Sequence, residues 1–501
     1  MLAIDNERCA AVFDWLTHFG AQARGPQAFT WQDPFDEQPD GWLAAASLPG
    51  LPIAWACRER AGKLRADGRD EDARAAEEAH RQAVTHLKQN LYLQGQLKRE
   101  LLARLPLEDA AAIMAHALDA DRAPLLGRGR LRAARDFVRD NGLFYAEIEQ
   151  PQTFPIAWPK VFGPSEGSTV QAIGRTAFVG VVADATVRHR SSLVRVGDAF
   201  LLDAQDEELD EIPIHLHVDP HVMDRRDDEI IAFEPVGGET LRLTEAVHLG
   251  GVPSRAFGHW LIQFLPKYFA ARFSGLLPPV PVLIDAECPR SHREALEFFL
   301  ADDVEIVEMP ERASARVERL WLLGDWLYVP LCPVPGQELG PRRLSLPPQA
   351  TAELVRKLVA GCRLERHGEA GRLFLARRPD RHRKLINHQR IEDVAVRHGF
   401  KIVYLEDHSF AEQIALIRGA EDIAGPDGSS HLMCMFAVPG TKLTMLSHPF
   451  LENNASLIAI LDAVGLDTLL LQGRCVREDV GYRRFSDYAI DEAEFEAALL
   501  R

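Results

Sequence analysis

The sequence predicts an α/β protein in which two Rossmann-like domains face each other across a cleft, preceded by an α-helical N-terminal region. Three observations predict it. Short apolar runs alternate with helical stretches twice along the chain, first beyond Leu249 and again beyond Gln349. A Pro-rich bridge, VPLCPVPGQELGPRRLSLPP at 329–348, separates the two series. The first 150 residues are instead rich in Ala, Leu, Arg and Glu. The expected boundaries are 1–150 for the helical region, whose role would be interaction or acceptor-related, 151–340 for the first Rossmann-like domain and 341–501 for the second, which ends in a helix.

Each element has its own signal. Ala79, Ala83, Leu87 and Leu91, then Leu93, Leu97, Leu101 and Leu105, recur every fourth residue, the spacing of a helix face. Pro106 and Pro124 divide the region into several helices. GRDEDARAAEEAHRQAVTHL resembles a tetratricopeptide helix pair, but no second copy follows at a fixed period. Pro151, Pro155 and Pro159 mark an extended entry, and TAFVGVVADATVRH and SLVRVGDAFLLDA then alternate as half-buried strands do. PVLIDA, SHREALEFFLA and VEIVEM follow as strand, helix and strand, the order of a parallel sheet. Beyond the bridge the order repeats: helix TAELVRKLVAGC, strand RLFLAR, helix HQRIEDVAVRHG, strand KIVYLE, helix FAEQIALIRGA, strand EDIAG, helix SSHLMCMFAV and strand TKLTML.

Composition narrows the function. A chain of 501 residues exceeds one hydrophobic core, and 47% hydrophobic with 26% charged residues is ordinary for a globular protein. The net charge of -17 argues against nucleic acid or an anionic membrane as partner. The N-terminus MLAIDNERCAAVFDWL lacks the pattern of a secretory signal, and no run approaches a membrane span, so a cytoplasmic site is expected, including peripheral contact with the inner face of a membrane. Cys9, Cys57, Cys288, Cys332, Cys362, Cys434 and Cys475 are scattered, as reduced thiols outside any zinc or disulfide framework are.

The chemistry concentrates at GPDGSSHLMCMF, residues 425–436. A loop leaving the carboxyl end of a parallel strand and entering a helix presents unpaired N–H groups at the mouth of the sheet, which favours anions. Gly425 and Gly428 would let the backbone approach a ligand, and Ser429 and Ser430 would cap the helix or donate to phosphate oxygens. Arg377, Arg378, Arg381 and Arg383 follow the strand RLFLA, and guanidinium forks suit a diphosphate. A capping serine and a solvated basic loop are the plainer reading of each feature alone; their shared position at one sheet edge favours a site.

From RLFLARR to TKLTML the sequence resembles the C-terminal domain of glycosyltransferase family 61. The motif positions are Arg377, Arg378, Arg383, Asn387, Gln413, Gly425 to Gly428, Phe436, Pro439 and Gly440, and FGHWLIQFLPKYFAA at 257–271 resembles a second family segment. The similarity covers roughly 160–475. It implies a GT-B fold and an inverting, metal-independent transfer of a hexosyl or pentosyl unit from a nucleotide-sugar, usually a UDP-sugar, to a hydroxyl of a glycan, glycolipid or protein, as in polysaccharide biosynthesis. No cofactor is required. Arg377, Arg378, Arg383, Asn387, Gln413, Gly428, Ser429 and Ser430 would bind the donor. His259 at a helix start is the leading base, its alternative role being a capping or packing histidine beside Trp260, and Asp427 is the second candidate. Many members carry an acidic residue where this chain has Gln263, and a Glu where it has Met445; His448 lies close to the latter.

Other motifs point elsewhere. GPSEG at 163–167 matches a hydrolase elbow in letters, but leads into a strand, so Ser165 reads as a turn residue. Asp119 and Asp121 resemble a metal-binding pair, yet close a helix outside both Rossmann-like units. The remaining alternative to an enzyme is a degenerate nucleotide-binding scaffold or interaction protein.

Overall fold

The computed structural model describes residues 91–103, 126–149, 152–163, 168–203, 216–234, 240–327, 346–362, 371–378, 383–449, 454–478 and 486–501, together with single residues between 65 and 114. The motifs at Asp119, Asp121 and Ser165, the bridge through 345, Arg381 and most of the predicted helical repeat lie outside the described residues. Two compact units emerge, one comprising Met1–Leu131 and His215–Gly238, the other Arg132–Ile214 and Glu239–Arg501.

In the first unit, helix Leu91–Leu102 buries Leu97 and Leu101 against Met114, Met223 and Ile231, the face that the four-residue spacing predicts. Lys98 on this helix is buried and donates to the carbonyls of Asp219 (2.6 Å) and Val222 (2.7 Å). Strands Leu126–Ala133, Glu229–Phe233 and Val222–Arg226 pair antiparallel beside it. The stretch up to residue 150 is therefore not helical throughout. Gly127 and Gly129 disfavour a helix in LGRGRLRA, and YAEIE at Tyr145–Glu149 is a further strand, in the second unit.

The second unit contains two large sheets and two two-stranded ones, Thr153–Ala157 with Thr169–Ile173 and Arg474–Arg477 with Asp487–Ala489. The main elements in chain order are β1 (Tyr145–Glu149), β2 (Ala177–Arg188), β3 (Val194–Val196), β4 (Ala199–Leu202), β5 (Thr240–His248), the helical run α1 (257–273), β6 (Val282–Asp285), α2 (Arg290–Phe299), β7 (Ile306–Met309) and β8 (Ser314–Leu323). Then follow α3 (Pro348–Gly361), β9 (Gly371–Leu375), α4 (His388–Arg397), β10 (Phe400–Val403), α5 (Phe410–Gly419), β11 (Ala420–Pro426), α6 (Ser429–Leu432), β12 (Lys442–Ser447), α7 (Asn454–Val464), β13 (Asp467–Gln472) and α8 (Glu492–Leu499). In the first sheet β7, β6, β5 and β8 are parallel, and β8 pairs antiparallel with β2, which continues into β3 and β4. The predicted strands PVLIDA and VEIVEM are its parallel members, β6 and β7.

The second sheet is parallel throughout, in the order β10, β9, β11, β12, β13, and its helices and strands fall where the alternation of apolar runs predicts them. Leu373, Leu375, Ile423 and Leu443 belong to one core with α1 and α2, whereas Phe374, Ala424 and Leu446 on the opposite face pack under α4 and α8. Consecutive residues of a strand point to opposite faces, so burial on both sides explains these near-continuous apolar runs. The two sheets are joined by rings: Phe299 of α2 lies 5.7 Å from Phe410 and 5.6 Å from Phe436, and Glu294 of α2 accepts from the Phe410 amide at 2.9 Å. This mixed α/β arrangement is consistent with a Rossmann-like glycosyltransferase fold.

Candidate functional site

The carboxyl ends of β9 and β11 carry the first group. Arg383 donates from Nη1 to Asp427 Oδ2 at 2.9 Å, and Arg377 donates from Nη1 to the Asp427 carbonyl at 3.2 Å. Asp427 is buried, and its own amide donates to the Leu446 carbonyl at 2.7 Å, which pins the turn to β12. Arg383 has φ 60°, a left-handed conformation that costs a side-chain-bearing residue about 1 to 3 kcal/mol, and its Nε is buried with no hydrogen-bond partner. Strain and an orphaned donor at one guanidinium single it out as a candidate functional group.

Gly428 precedes α6 with extended backbone, and a Cβ there would meet Arg377 side-chain atoms at 3.8 and 3.9 Å and Ser430 Oγ at 3.9 Å. Gly425 is different. Its φ is 155° and a Cβ would stand 2.4 Å from the Leu375 carbonyl oxygen, so glycine is required there by the close approach of β9 rather than by a ligand. No side-chain cap closes α6, which leaves the first-turn N–H groups of Ser429 and Ser430 without intrahelical acceptors. Ser429 is exposed and Ser430 half-buried.

The remaining donor candidates sit apart from that pair. Arg378 is exposed, donates to Glu406 at 2.7 Å and to both carboxylate oxygens of Asp407 at 2.9 and 2.8 Å, and lies 4.7 Å over the Tyr404 ring. Asn387 bonds the Ile490 carbonyl (2.8 Å) and accepts from its amide (3.2 Å), stapling the chain that leads into α8. Gln413 on α5 donates to the His408 carbonyl at 3.0 Å, with its Oε1 buried and unpartnered. Met445 is core on β12, and buried His448 packs its ring 6.0 Å from Tyr488.

His259 comes from the other sheet. It ends the segment Phe257–His259 and enters a π-helical turn, Trp260–Phe264, within α1. Its Nδ1 bonds Oε1 of Gln263, and Gln263 Nε2 donates to the Leu327 carbonyl at 3.0 Å. The carbonyl fixes which way the amide points, so Oε1 faces the ring, Nδ1 carries the hydrogen, and Nε2 is left as the basic nitrogen. A neutral Gln thus performs the orienting that a carboxylate performs elsewhere. Trp260 is fully buried, with Nε1 donating to the His292 carbonyl at 2.9 Å, so the packing role belongs to Trp260.

The two groups meet. A Cβ on Gly258 would stand 3.4 Å from Ser429 Oγ and 3.3 Å from Leu432 Cδ1, so the start of α1 lies on the turn that opens α6. Two residues missed in the sequence complete the surroundings. His431 is fully buried near Asp427, both ring nitrogens unpartnered, and burial lowers its pKa to about 4 against the opposing charge of Asp427. Tyr488 is buried with its hydroxyl donating to the Leu446 carbonyl at 3.1 Å; burial and then Asp427 raise its pKa. Apolar neighbours in sequence gave His431 the look of a core residue, and Tyr488 is brought in from beyond β13, so neither had a local signal. Among the described residues no group of three or more His, Cys, Asp or Glu could hold a metal ion, and no helix is long and apolar enough to cross a membrane.

No curated protein matches the chain. Residues 257–444 match the family model described as Glycosyltransferase 61, a span that begins just before His259 and includes Arg377, Arg383 and the 425–430 turn. Over residues 257–444 the chain is similar to glycosyltransferase family 61.

Proposed function

We propose that the protein is an active, inverting glycosyltransferase in a GT-B arrangement, with the first sheet on the acceptor side and the second on the nucleotide-sugar side. His259 Nε2 removes the proton from an acceptor hydroxyl as that oxygen attacks the anomeric carbon from the face opposite the leaving group. The bond from the anomeric carbon to the diphosphate oxygen breaks, and the departing UDP carries the negative charge onto Arg377, Arg383 and the N–H groups of Gly428, Ser429 and Ser430. Fixed guanidinium and N–H donors stabilise that charge without reorganising, which is the work a divalent ion performs in other transferases. Asp427 holds Arg383 in place in this reading, leaving the proton to His259. The donor is a UDP-sugar, and the enzyme works in the cytoplasm without a metal.

The observation that carries this reading is the contact of Gly258 with Ser429 and Leu432, which brings the oriented histidine to the arginine-lined turn. Calorimetric titration with UDP, GDP, CMP and dTDP, with EDTA and then with magnesium, tests it. Selective UDP binding in EDTA is expected, weakened by about 1.5 to 3 kcal/mol in Arg383→Ala, the loss of one charged hydrogen bond. Absence of binding to all four nucleotides, or binding only with magnesium, would overturn it. Binding without transfer to any acceptor would instead favour a scaffold.

A further inference from the structure

A second cluster occupies the loops beyond β2, β5 and β6. Asp285, the last residue of β6, accepts from the Arg190 amide at 3.0 Å on Oδ1 and faces the Ser254 hydroxyl at 3.4 Å on Oδ2. Ser254 Oγ also donates to the Gly251 carbonyl at 2.8 Å, and Ser192 Oγ accepts from the Val252 amide at 3.0 Å. Asp285 is almost fully buried and is spent on knitting these loops together. Three groups around it are held less tightly, Glu287 and Arg255 by a long ion pair. Glu287 is 36% exposed and stands 3.6 Å from Arg255 and 3.8 Å from His189, beyond hydrogen-bond reach of both. Arg255 is 37% exposed. Arg190 has φ 59°, and its Nε is buried without a partner.

The charges decide the class of ligand. Arg190 and Arg255 are offset by Asp285 and Glu287, and Glu311 adds a further negative charge close enough to act on Arg190. An anionic ligand gains nothing from such a set. A neutral polyol does, because each hydroxyl is both donor and acceptor and can bridge a carboxylate to a guanidinium. The place is also right: it lies beyond the carboxyl ends of parallel strands, where α/β sheets bind ligands, and Arg255 and Phe257 lead directly into His259. Phe257, half-buried with its ring 5.3 Å from that of His292, offers an apolar face beside the polar groups.

We propose that Glu287, Arg255 and Arg190 form the acceptor subsite and that the acceptor is an uncharged oligosaccharide, held by its hydroxyls next to His259. The word acceptor rests on the transferase reading above; the binding of a neutral glycan does not. The test uses the full chain on a printed array of neutral, uronate-bearing and phosphorylated oligosaccharides with peptide controls, alongside Glu287→Ala and Arg255→Ala. Binding to neutral glycans is expected, at least tenfold weaker in both variants, while UDP affinity stays within twofold as a check on folding. Wild-type protein that binds no neutral glycan, that prefers charged glycans or peptides, or whose glycan binding survives both substitutions would overturn the proposal. Glycan binding that depends on Glu287 in a protein that fails to bind UDP would remove the transferase reading and leave this site standing.

Discussion

The loop beyond β2 and the loop beyond β9 both present an arginine in a left-handed conformation, Arg190 at φ 59° and Arg383 at φ 60°, each with a buried Nε lacking a partner. They differ in what surrounds it. Arg383 is held by a buried carboxylate at 2.9 Å, and Arg377 reaches the carbonyl of that same aspartate. Around Arg190 the polar contacts are longer: Arg255 and His189 lie 3.6 and 3.8 Å from Glu287. A tightly pinned guanidinium suits one ligand of fixed charge and geometry, such as a diphosphate. Loosely spaced donors and acceptors suit a ring of hydroxyls that varies in orientation. One molecule therefore uses the same residue type in two ways, set by its neighbours rather than by the arginine.

The largest expected effect would break this division of labour. His259→Ala should lower kcat by about 100-fold or more, the usual contribution of a general base, while UDP affinity changes by less than twofold. A parallel loss of UDP binding, measured by calorimetry, would make His259 part of the donor site instead. Next in size is the contrast between two arginines of one loop. Arg378→Ala should leave UDP binding within about twofold, because an exposed guanidinium already paired with Glu406 and Asp407 contributes little. A loss matching that of Arg383→Ala would mean that Arg378 leaves those partners to meet the nucleotide.

The smallest effect concerns pH. Burial lowers the His431 pKa from 6.5 to about 4, so between those values the unfolded chain binds more protons at this residue than the folded one. Its contribution is fully present above about 6.5 and is lost as pH falls toward 4. The thermal midpoint of His431→Asn should therefore fall less steeply than that of the wild type between pH 6.5 and 4. Parallel curves would show that His431 takes up its proton equally in the folded and the unfolded state.

The second sheet was legible in the sequence because strands buried on both faces must be apolar almost throughout, and RLFLA, EDIAG and TKLTML are bounded by helical periodicity. LGRGRLRA was not, since arginines on an exposed strand and on an exposed helix look alike and only the two glycines speak against a helix. At the site, side-chain chemistry singled out Arg377, Arg383 and His259, but pairing is not written in composition. Nothing in ARRPDRHR distinguishes the arginine that meets Asp427 from the one that meets Asp407, because the choice depends on where β10 and β11 end. The glycine at 425 was read for ligand access, whereas β9 lies against it. Glu287 carried no signal, being one acidic residue among many until the loops from β2 and β5 close around it.

The π-helical turn at Trp260–Phe264 has a consequence for how the protein can vary. A π turn holds one more residue than an α turn, so deleting one position within it would let the run close as ordinary helix with the residues beyond it kept on nearly the same face. Lys267, 3.1 Å from Asp325, would keep its neighbours, whereas Gln263 would follow His259 by three residues instead of four. The stretch between His259 and Pro266 thus holds one residue that the alignment of the helix beyond it does not need. Relatives that keep the histidine should tolerate a one-residue gap here better than a gap elsewhere in the run.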